Sequence, residues 1–194
     1  MLGCDKTYLI NLAHRTDRLR VAKTQFAKAG IVDYTVFNAI DAKKLNIKGV
    51  QEENQGLIGC FLSHLFILQE AMMNKYKSIA VFEDDVIIVN DFKIKYHQAL
   101  GQIPDKWQML YLGYYERTGS SKIRVSENIT IPKDTWGTHA YIVRGDGIKI
   151  MYNNLQIIKT HIDIQISREI APKMYTYCIH PALCNQSGIK SDIK

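Results

Sequence analysis

What this 194-residue chain lacks narrows the field first. No stretch approaches the roughly 18 to 20 uninterrupted apolar residues of a membrane span. Asp5 and Lys6 precede the first apolar run, so no charged-then-apolar leader is legible at the N-terminus. The expectation is a soluble, cytoplasmic chain whose membrane contact is at most peripheral. Cysteine is scarce: Cys4, Cys60, Cys178 and Cys184 lie far apart with no Cys-x-x-Cys pair. That spacing excludes the common zinc ribbons and is unlike a disulfide framework. Cys60, inside an apolar helical stretch, reads as a small buried hydrophobe. With only 4 Pro and 12 Gly against 46% apolar residues, long disordered segments are not expected. A strong charge of one sign is missing too. The net charge of +6 is modest, with dispersed lysines, and would suit a polyanion, a membrane surface or a phosphorylated substrate. The basic residues are not interleaved with aromatics and match no nucleic-acid module, so no nucleic-acid partner is expected. Repeats and low-complexity tracts are absent. The length suits one domain over residues 1–194.

What is present alternates between strand and helix patterns. Residues 6–12 (KTYLINL) read as a first strand, and a helix follows, capped by Thr16 or Asp17 and stopped by Gly30. Its apolar face is Leu19, Ala22, Phe26 and Ala29. Residues 34–40 form a second strand, giving a β-α-β unit with parallel strands. Arg15 and Arg18 lie in the first connection, where helix N-terminal N–H groups collect anions, or are ordinary solvated residues at a helix start. A polar loop covers 41–55. A helix over 57–74 follows, with Leu57, Cys60, Phe61, His64, Leu65, Leu68 and Ala71 at three- and four-residue spacing. Ser63 and His64 interrupt its apolar face, and a lone histidine there is either functional or a hydrogen-bonded core residue.

Residues 78–89 (SIAVFEDDVIIV) are the centre of the pattern. A short β-branched run reads as a strand covered on both faces, and it ends in Glu83-Asp84-Asp85. Three adjacent carboxylates repel one another unless they are solvated or a cation sits among them. The C-terminal end of a strand in an open α/β sheet is also where ligands bind. Beyond it come a helix over 91–102, a strand over 107–113, a polar stretch over 114–134 holding a hairpin or mobile loop, and a strand over 140–143. Helices over 145–154 and 164–170, a strand over 174–180 and a polar tail complete the pattern. Basic residues after one strand and carboxylates after another suit a nucleoside diphosphate and a hard cation, Mn²⁺ or Mg²⁺. A unit charge pair at 4 Å is worth roughly 4 kcal/mol at an effective dielectric of 20. At ~1.4 kcal/mol per tenfold, such a cation would supply most of a thousandfold in rate. Direct displacement would need a carboxylate base from elsewhere in the chain.

The blocks Tyr8-Leu9-Ile10-Asn11-Leu12, Arg15-x-Asp17-Arg18-Leu19, Ala39-Ile40-Asp41, Gly59-Cys60-x-Leu62-Ser63-His64, Glu83-Asp84-Asp85, Tyr111-Leu112-Gly113 and Gln186 through Ser191-Asp192-Ile193 resemble glycosyltransferase family 25. They occur in the family's order, and the main departure is Ala42 where glycine is usual. The resemblance implies an α/β fold of the GT-A type, a mostly parallel central sheet flanked by helices. It implies a UDP-sugar donor, Mn²⁺ (or Mg²⁺) dependence and hexose transfer with inversion, galactose or glucose being the expected sugar. The acceptor would be a glycan, a lipid-linked glycan or hydroxylysine on a collagen-like chain. Carried over by position, Asp85 is the metal ligand, with Glu83 or Asp84 on the ribose or metal. Asn11, Arg15 and Arg18 line the nucleotide pocket, and Ser63 and His64 the donor side. His180, or failing it His139, is the late histidine expected on the metal. Asp163 is the expected base, or else the N-cap of the following helix. A catalytically inactive nucleotide-sugar binding module and a metal-dependent phosphohydrolase are the alternatives.

Overall fold

Alternation in the central strands sets up two cores. In the computed structural model, which describes residues 2–45, 51–116 and 123–188, β1 (Lys6–Asn11) and β3 (Ser78–Glu83) pair in parallel, with Ile10 opposite Glu83. Leu9, Ala80 and Phe82 point to one face, where they meet Ala22 and Phe26 of α1 (Thr16–Ala29). Tyr8, Ile10, Ile79 and Val81 point to the other, where Phe61, Ile67, Leu68 and Ala71 of α2 (Glu52–Met73) cover them. A period of two with apolar residues on both sides is why the strands read as continuous hydrophobic runs.

The chain leaves β1 through α1 to β2 (Thr35–Asn38), which pairs in parallel on one side of β1. It returns through α2 to β3 on the other side. The order β2-β1-β3 therefore puts the ends of β1 and β3 beside each other at the point where the connections diverge. β4 (Val86–Ile88) and α3 (Phe92–Leu100) follow. Then come β5 (Met109–Glu116), β6 (Ile123–Arg124), β7 (Ile129–Ile131) and β8 (Thr135–Arg144). α4 (Asp146–Asn154), α5 (Ile162–Gln165), β9 (Thr176–Ile179) and β10 (Cys184–Gln186) close the chain. The sheet order is β2-β1-β3-β8-β5-β9-β7-β6. Across its centre only β8 runs against its neighbours β3 and β5, so the central sheet is mostly parallel. β10 pairs antiparallel with β4 and in parallel with β5 at Gly113.

Several boundaries differ from the sequence-based expectation. Arg15, not Thr16 or Asp17, occupies the N-cap of α1, and Gly30 ends that helix at φ 72°, as a left-handed stop requires. The buried stripe of α1 is Arg18, Ala22 and Phe26, so an arginine takes its first place. α2 begins at Glu52, inside the expected loop, and is apolar enough over Asn54–Met73 to meet the length and composition of a membrane span. Its fully buried Phe61, Ile67, Leu68 and Ala71 make it a core helix of this sheet. β8 starts five residues before the expected strand, because Thr135 and Trp136 pair with Glu116 and Tyr115. The polar tail contributes β10. Gly119-Ser120-Ser121 and Ser191-Asp192-Ile193 lie outside the described residues.

Gly59 fixes how closely α2 approaches the chain after β2. A Cβ there would sit 2.3 Å from the Ile40 carbonyl oxygen. Ser63 completes the clamp, its Oγ donating to Gly59 O at 2.7 Å and accepting from Ile40 N–H at 2.9 Å. Gly59→Ala gains helix propensity worth up to ~1 kcal/mol, but it must push backbone aside at about 1–3 kcal/mol. The net expectation is a lower melting temperature, by about 2–4 °C per kcal/mol. An unchanged or raised thermal melt would show that the clamp yields freely.

Candidate active site

The tight turn between β3 and β4 carries Asp84 and Asp85, both more than nine-tenths buried. Arg18 reaches them from the first turn of α1. Its Nη2 lies 2.5 Å from Asp84 Oδ1 and 3.0 Å from Asp85 Oδ2. One guanidinium shared by two buried carboxylates offsets part of their repulsion and desolvation. It does not offset all of it. Burial pushes the Asp84 carboxyl up to about 7, with Arg18 opposing and Asp85 and Glu83 adding. Burial and then Glu83 push Asp85 up to about 6 against the pull of Arg18. From the tail, Gln186 Nε2 donates to Asp85 Oδ2 at 3.4 Å, and Ser187 N–H donates to the Asp85 carbonyl at 2.6 Å.

Asp85 Oδ1 is buried with no hydrogen-bond partner among the described residues, and so is Asn11 Oδ1. A buried carboxylate oxygen without a donor is costly by itself and suits an oxygen-seeking cation. The donor set therefore fits a hard divalent ion at Asp85.

Glu83, the last residue of β3, faces the α2 side. Thr138 Oγ donates to its Oε1 at 2.7 Å, and His64 Nε2 lies 3.3 Å from the same oxygen. Tyr141 Oη meets the other ring nitrogen of His64 at 3.0 Å. Burial alone would raise the Glu83 carboxyl, but the hydrogen bond and electrostatic pull of His64, followed by the Thr138 hydroxyl, hold it below its usual range. Adjacent carboxylates on one strand end are thus driven in opposite directions by their partners.

These groups line one cavity. Its walls include Asn11, His14, Arg18, Asp41, Lys43, Ser63, His64, the three carboxylates and Gln186. A second cavity shares Cys60, Glu83 and Gln186 with it, and contains Asp163, His161, Thr138 and Tyr115. Asp163 Oδ2 accepts Gly137 N–H at 3.0 Å, and its Oδ1 accepts Ile164 N–H at 2.8 Å. The N-cap of α5 is His161, so Asp163 lies inside the first turn and the capping alternative does not hold. Glu83, Cys60 and Gln186 together form the partition shared by the two cavities.

The structure brings together Asn11, Arg18, Ser63, His64, Glu83, Asp84 and Asp85, and sets Asp163 across the partition. Ser63 has its hydroxyl committed to the clamp on Ile40. Arg15 lies at the edge. Its Nε and Nη2 make paired 3.0 Å bonds to Asp17, whose carboxyl they hold down near 2. His180, the expected late metal ligand, is not brought to the carboxylates. It follows β9, which β8 and β5 separate from β3, and its Nδ1 is 3.5 Å from Tyr114 Oη. His139 is fully buried in β8 with Nε2 on the Cys184 carbonyl at 3.3 Å, and burial lowers its pKa. Sequence reasoning missed His14 and Lys43 and gave Gln186, named in the late family block, no place in the site; only the assembled sheet puts the three here. Cys60, read as a small buried hydrophobe, is half-buried, packs against the α2-side core and also walls both cavities. Its four-residue spacing from His64 was the available signal, since i and i+4 share a helix face.

The sequence profile of glycosyltransferase family 25 (LPS biosynthesis protein) matches residues 4–166. This chain belongs to glycosyltransferase family 25. Among relatives, the Xenopus laevis procollagen galactosyltransferase 1-A is 27% identical over 187 residues, covering 81% of this chain and 30% of its own length. The mouse procollagen galactosyltransferase 2 is 29% identical over 134 residues, 58% of this chain and 21% of that protein. A bovine relative named probable inactive glycosyltransferase 25 family member 3 is 30% identical over 132 residues, 58% of this chain and 22% of its own. The chain thus spans less than a third of the length of these family 25 relatives. A solved glycosyltransferase involved in glycosylating the major capsid of PBCV-1 has the same fold at a TM-score of 0.59, covering 96% of this chain and 93% of that one at 10% identity. The architecture is of the GT-A type.

The raised Asp84 carboxyl sets a stability dependence on pH. A folded pKa of about 7 lies above the ordinary carboxylate value, so this group's contribution is complete below about pH 4 and is lost as pH rises through 7. Asp84→Asn is therefore expected to match the parent near pH 4 and to melt higher at pH 8, by about 2–4 °C for each kcal/mol relieved. Thermal melts in metal-free buffer check this. A variant that melts lower at pH 8 would mean that Arg18 depends on both carboxylates.

Proposed function

We propose that this chain is a metal-dependent transferase moving a hexose, galactose or glucose, from a UDP-sugar to a hydroxyl acceptor with inversion. The acceptor is a glycan, a lipid-linked glycan or hydroxylysine on a collagen-like protein. The observation that carries the reading is the pairing of cavities. The unpartnered Asp85 oxygen shares a pocket with Asn11 and Arg18, and Asp163 stands beyond Glu83. Displacement with inversion needs a leaving group and an incoming hydroxyl on opposite sides of the sugar carbon, and two cavities meeting at one partition supply two sides.

In this reading the diphosphate enters beside Asn11, His14, Arg18 and Lys43. Arg18 is held in place by Asp84 and Asp85 while its charge faces the same pocket. Asp85, with Asp84 beside it, would hold Mn²⁺ or Mg²⁺, whose charge would offset that of the departing nucleotide. His180 is not part of this set. The uracil and ribose lie toward Ala39, Ile40 and Asp41, the segment clamped by Gly59 and Ser63. Asp163 accepts the proton of the incoming hydroxyl at a carboxylate oxygen. The Gly137 and Ile164 N–H groups fix its orientation and leave lone pairs toward the cavity.

Asp163→Asn is expected to lower turnover by about 10²–10⁴-fold while the UDP dissociation constant changes by less than about threefold. Calorimetry of UDP with Mn²⁺ and assays of UDP release from UDP-galactose and UDP-glucose measure the two quantities. Unchanged turnover would remove Asp163 as the base, and UDP binding without any UDP release by the parent chain would leave a binding module in place of an enzyme. Asp85→Asn is expected to abolish the metal-dependent part of UDP binding. No binding heat for UDP with Mn²⁺ in the parent chain would remove the proposal altogether.

A further inference from the structure

Cys60, His64 and Glu83 converge on the partition between the cavities. Their ligand atoms, a thiol sulfur, a ring nitrogen and a carboxylate oxygen, all lie within 4.8 Å of one another. We infer that these three side chains form a second cation site, one that takes a thiophilic divalent ion of the Zn²⁺ class and is chemically distinct from the oxygen site at Asp85. The inference concerns binding alone, so it stands whether or not the transferase reading does.

Geometry supports it first. A tetrahedral ion with nitrogen and oxygen at about 2.0–2.1 Å holds those two atoms roughly 3.3 Å apart. His64 Nε2 and Glu83 Oε1 are 3.3 Å apart. Cys60 sits four residues before His64 on the same face of α2, and its sulfur lies within 4.8 Å of both atoms. The fourth position opens on the cavities, the pattern of three protein ligands and one exchangeable site.

The outer partners are those such a site uses. Tyr141 Oη engages the far ring nitrogen of His64 at 3.0 Å, which fixes the imidazole plane. Thr138 Oγ donates to Glu83 at 2.7 Å and orients the carboxylate. Binding exchanges the Cys60 thiol proton for the ion, the proton leaving to buffer. Ligand chemistry then sets selectivity. One thiolate and one imidazole favour Zn²⁺ and Co²⁺ over Mn²⁺, which is weakest in the divalent series and prefers all-oxygen sites. Among the described residues no other group of three histidine, cysteine or acidic side chains is placed this way.

Co²⁺ is the probe, titrated into the reduced full chain without nucleotide. The expected result is a thiolate-to-cobalt charge-transfer band saturating at one equivalent, bleached by one equivalent of Zn²⁺ and unaffected by equimolar Mn²⁺. Cys60→Ser and Cys60→Ala, each checked by circular dichroism for retained fold, are expected to lose the band and to weaken Zn²⁺ binding by more than the about 10–100-fold typical of losing a residue that only orients a ligand. No band in the parent chain overturns the inference. A band of equal strength in both folded variants assigns the thiolate elsewhere and also overturns it. Displacement of Co²⁺ by equimolar Mn²⁺ overturns it too, by showing a single oxygen-type site. UDP binding with Mn²⁺ is measured separately, so failure here and failure of the transferase reading remain distinguishable.

Discussion

Two carboxylates buried at the end of a strand, with one arginine between them, are the constraint around which this fold is arranged. Water no longer stabilises Asp84 and Asp85, and Arg18 only partly replaces it. For Arg18 to reach them, α1 must begin directly after β1 and lay its first buried position over the β3–β4 turn. For that turn to lie beside Asn11, β1 and β3 must be neighbours. The order β2-β1-β3 satisfies both requirements. The residual repulsion and desolvation in this pocket are a stability deficit that Arg18 does not remove.

The opposite face of β3 uses different means. Glu83 is the one member of the triplet whose carboxyl is held below its usual range, because α2 presents His64 and β8 presents Thr138 to it. β8 runs antiparallel in an otherwise parallel centre. That reversal brings Gly137 and Thr138 to the same sheet end as the carboxylates. A parallel β8 would have carried those residues to the far end. The reversed strand supplies the N–H that fixes Asp163 and the hydroxyl that fixes Glu83. The second cavity depends on it.

Much of this was legible in the sequence where the determinants are local. β1, α1 and β2 were readable from apolar alternation, from the 22/26 spacing and from Gly30. The acidic strand end stood out because three adjacent carboxylates on a β-branched run demand an explanation. Asn11, Arg18 and His64 followed from adjacency to strand ends and from family 25 blocks. Contacts between distant segments were not legible. Nothing near residue 139 announces that β8 extends back to Thr135, because that extension is paired to Tyr115 and Glu116. His180 was placed by expectation of a late histidine, and the sheet instead puts two strands between it and β3. Arg18 taking an apolar position on α1 is a tertiary override, made favourable by Asp84 and Asp85 and invisible from periodicity alone.

The strand formed by Cys184–Gln186 bears on how the molecule comes to exist. It lies between β4 and β5, and Gln186 and Ser187 hydrogen-bond to Asp85 from 101 and 102 positions further along the chain. On a ribosome, the acidic turn emerges long before the segment that latches it. Until that segment arrives the turn is held by Arg18, by Gln25 on the Ile88 N–H and by local backbone, and such distant closure is slow. The chemistry-bearing loop is therefore among the last parts of the nascent protein to take its final shape.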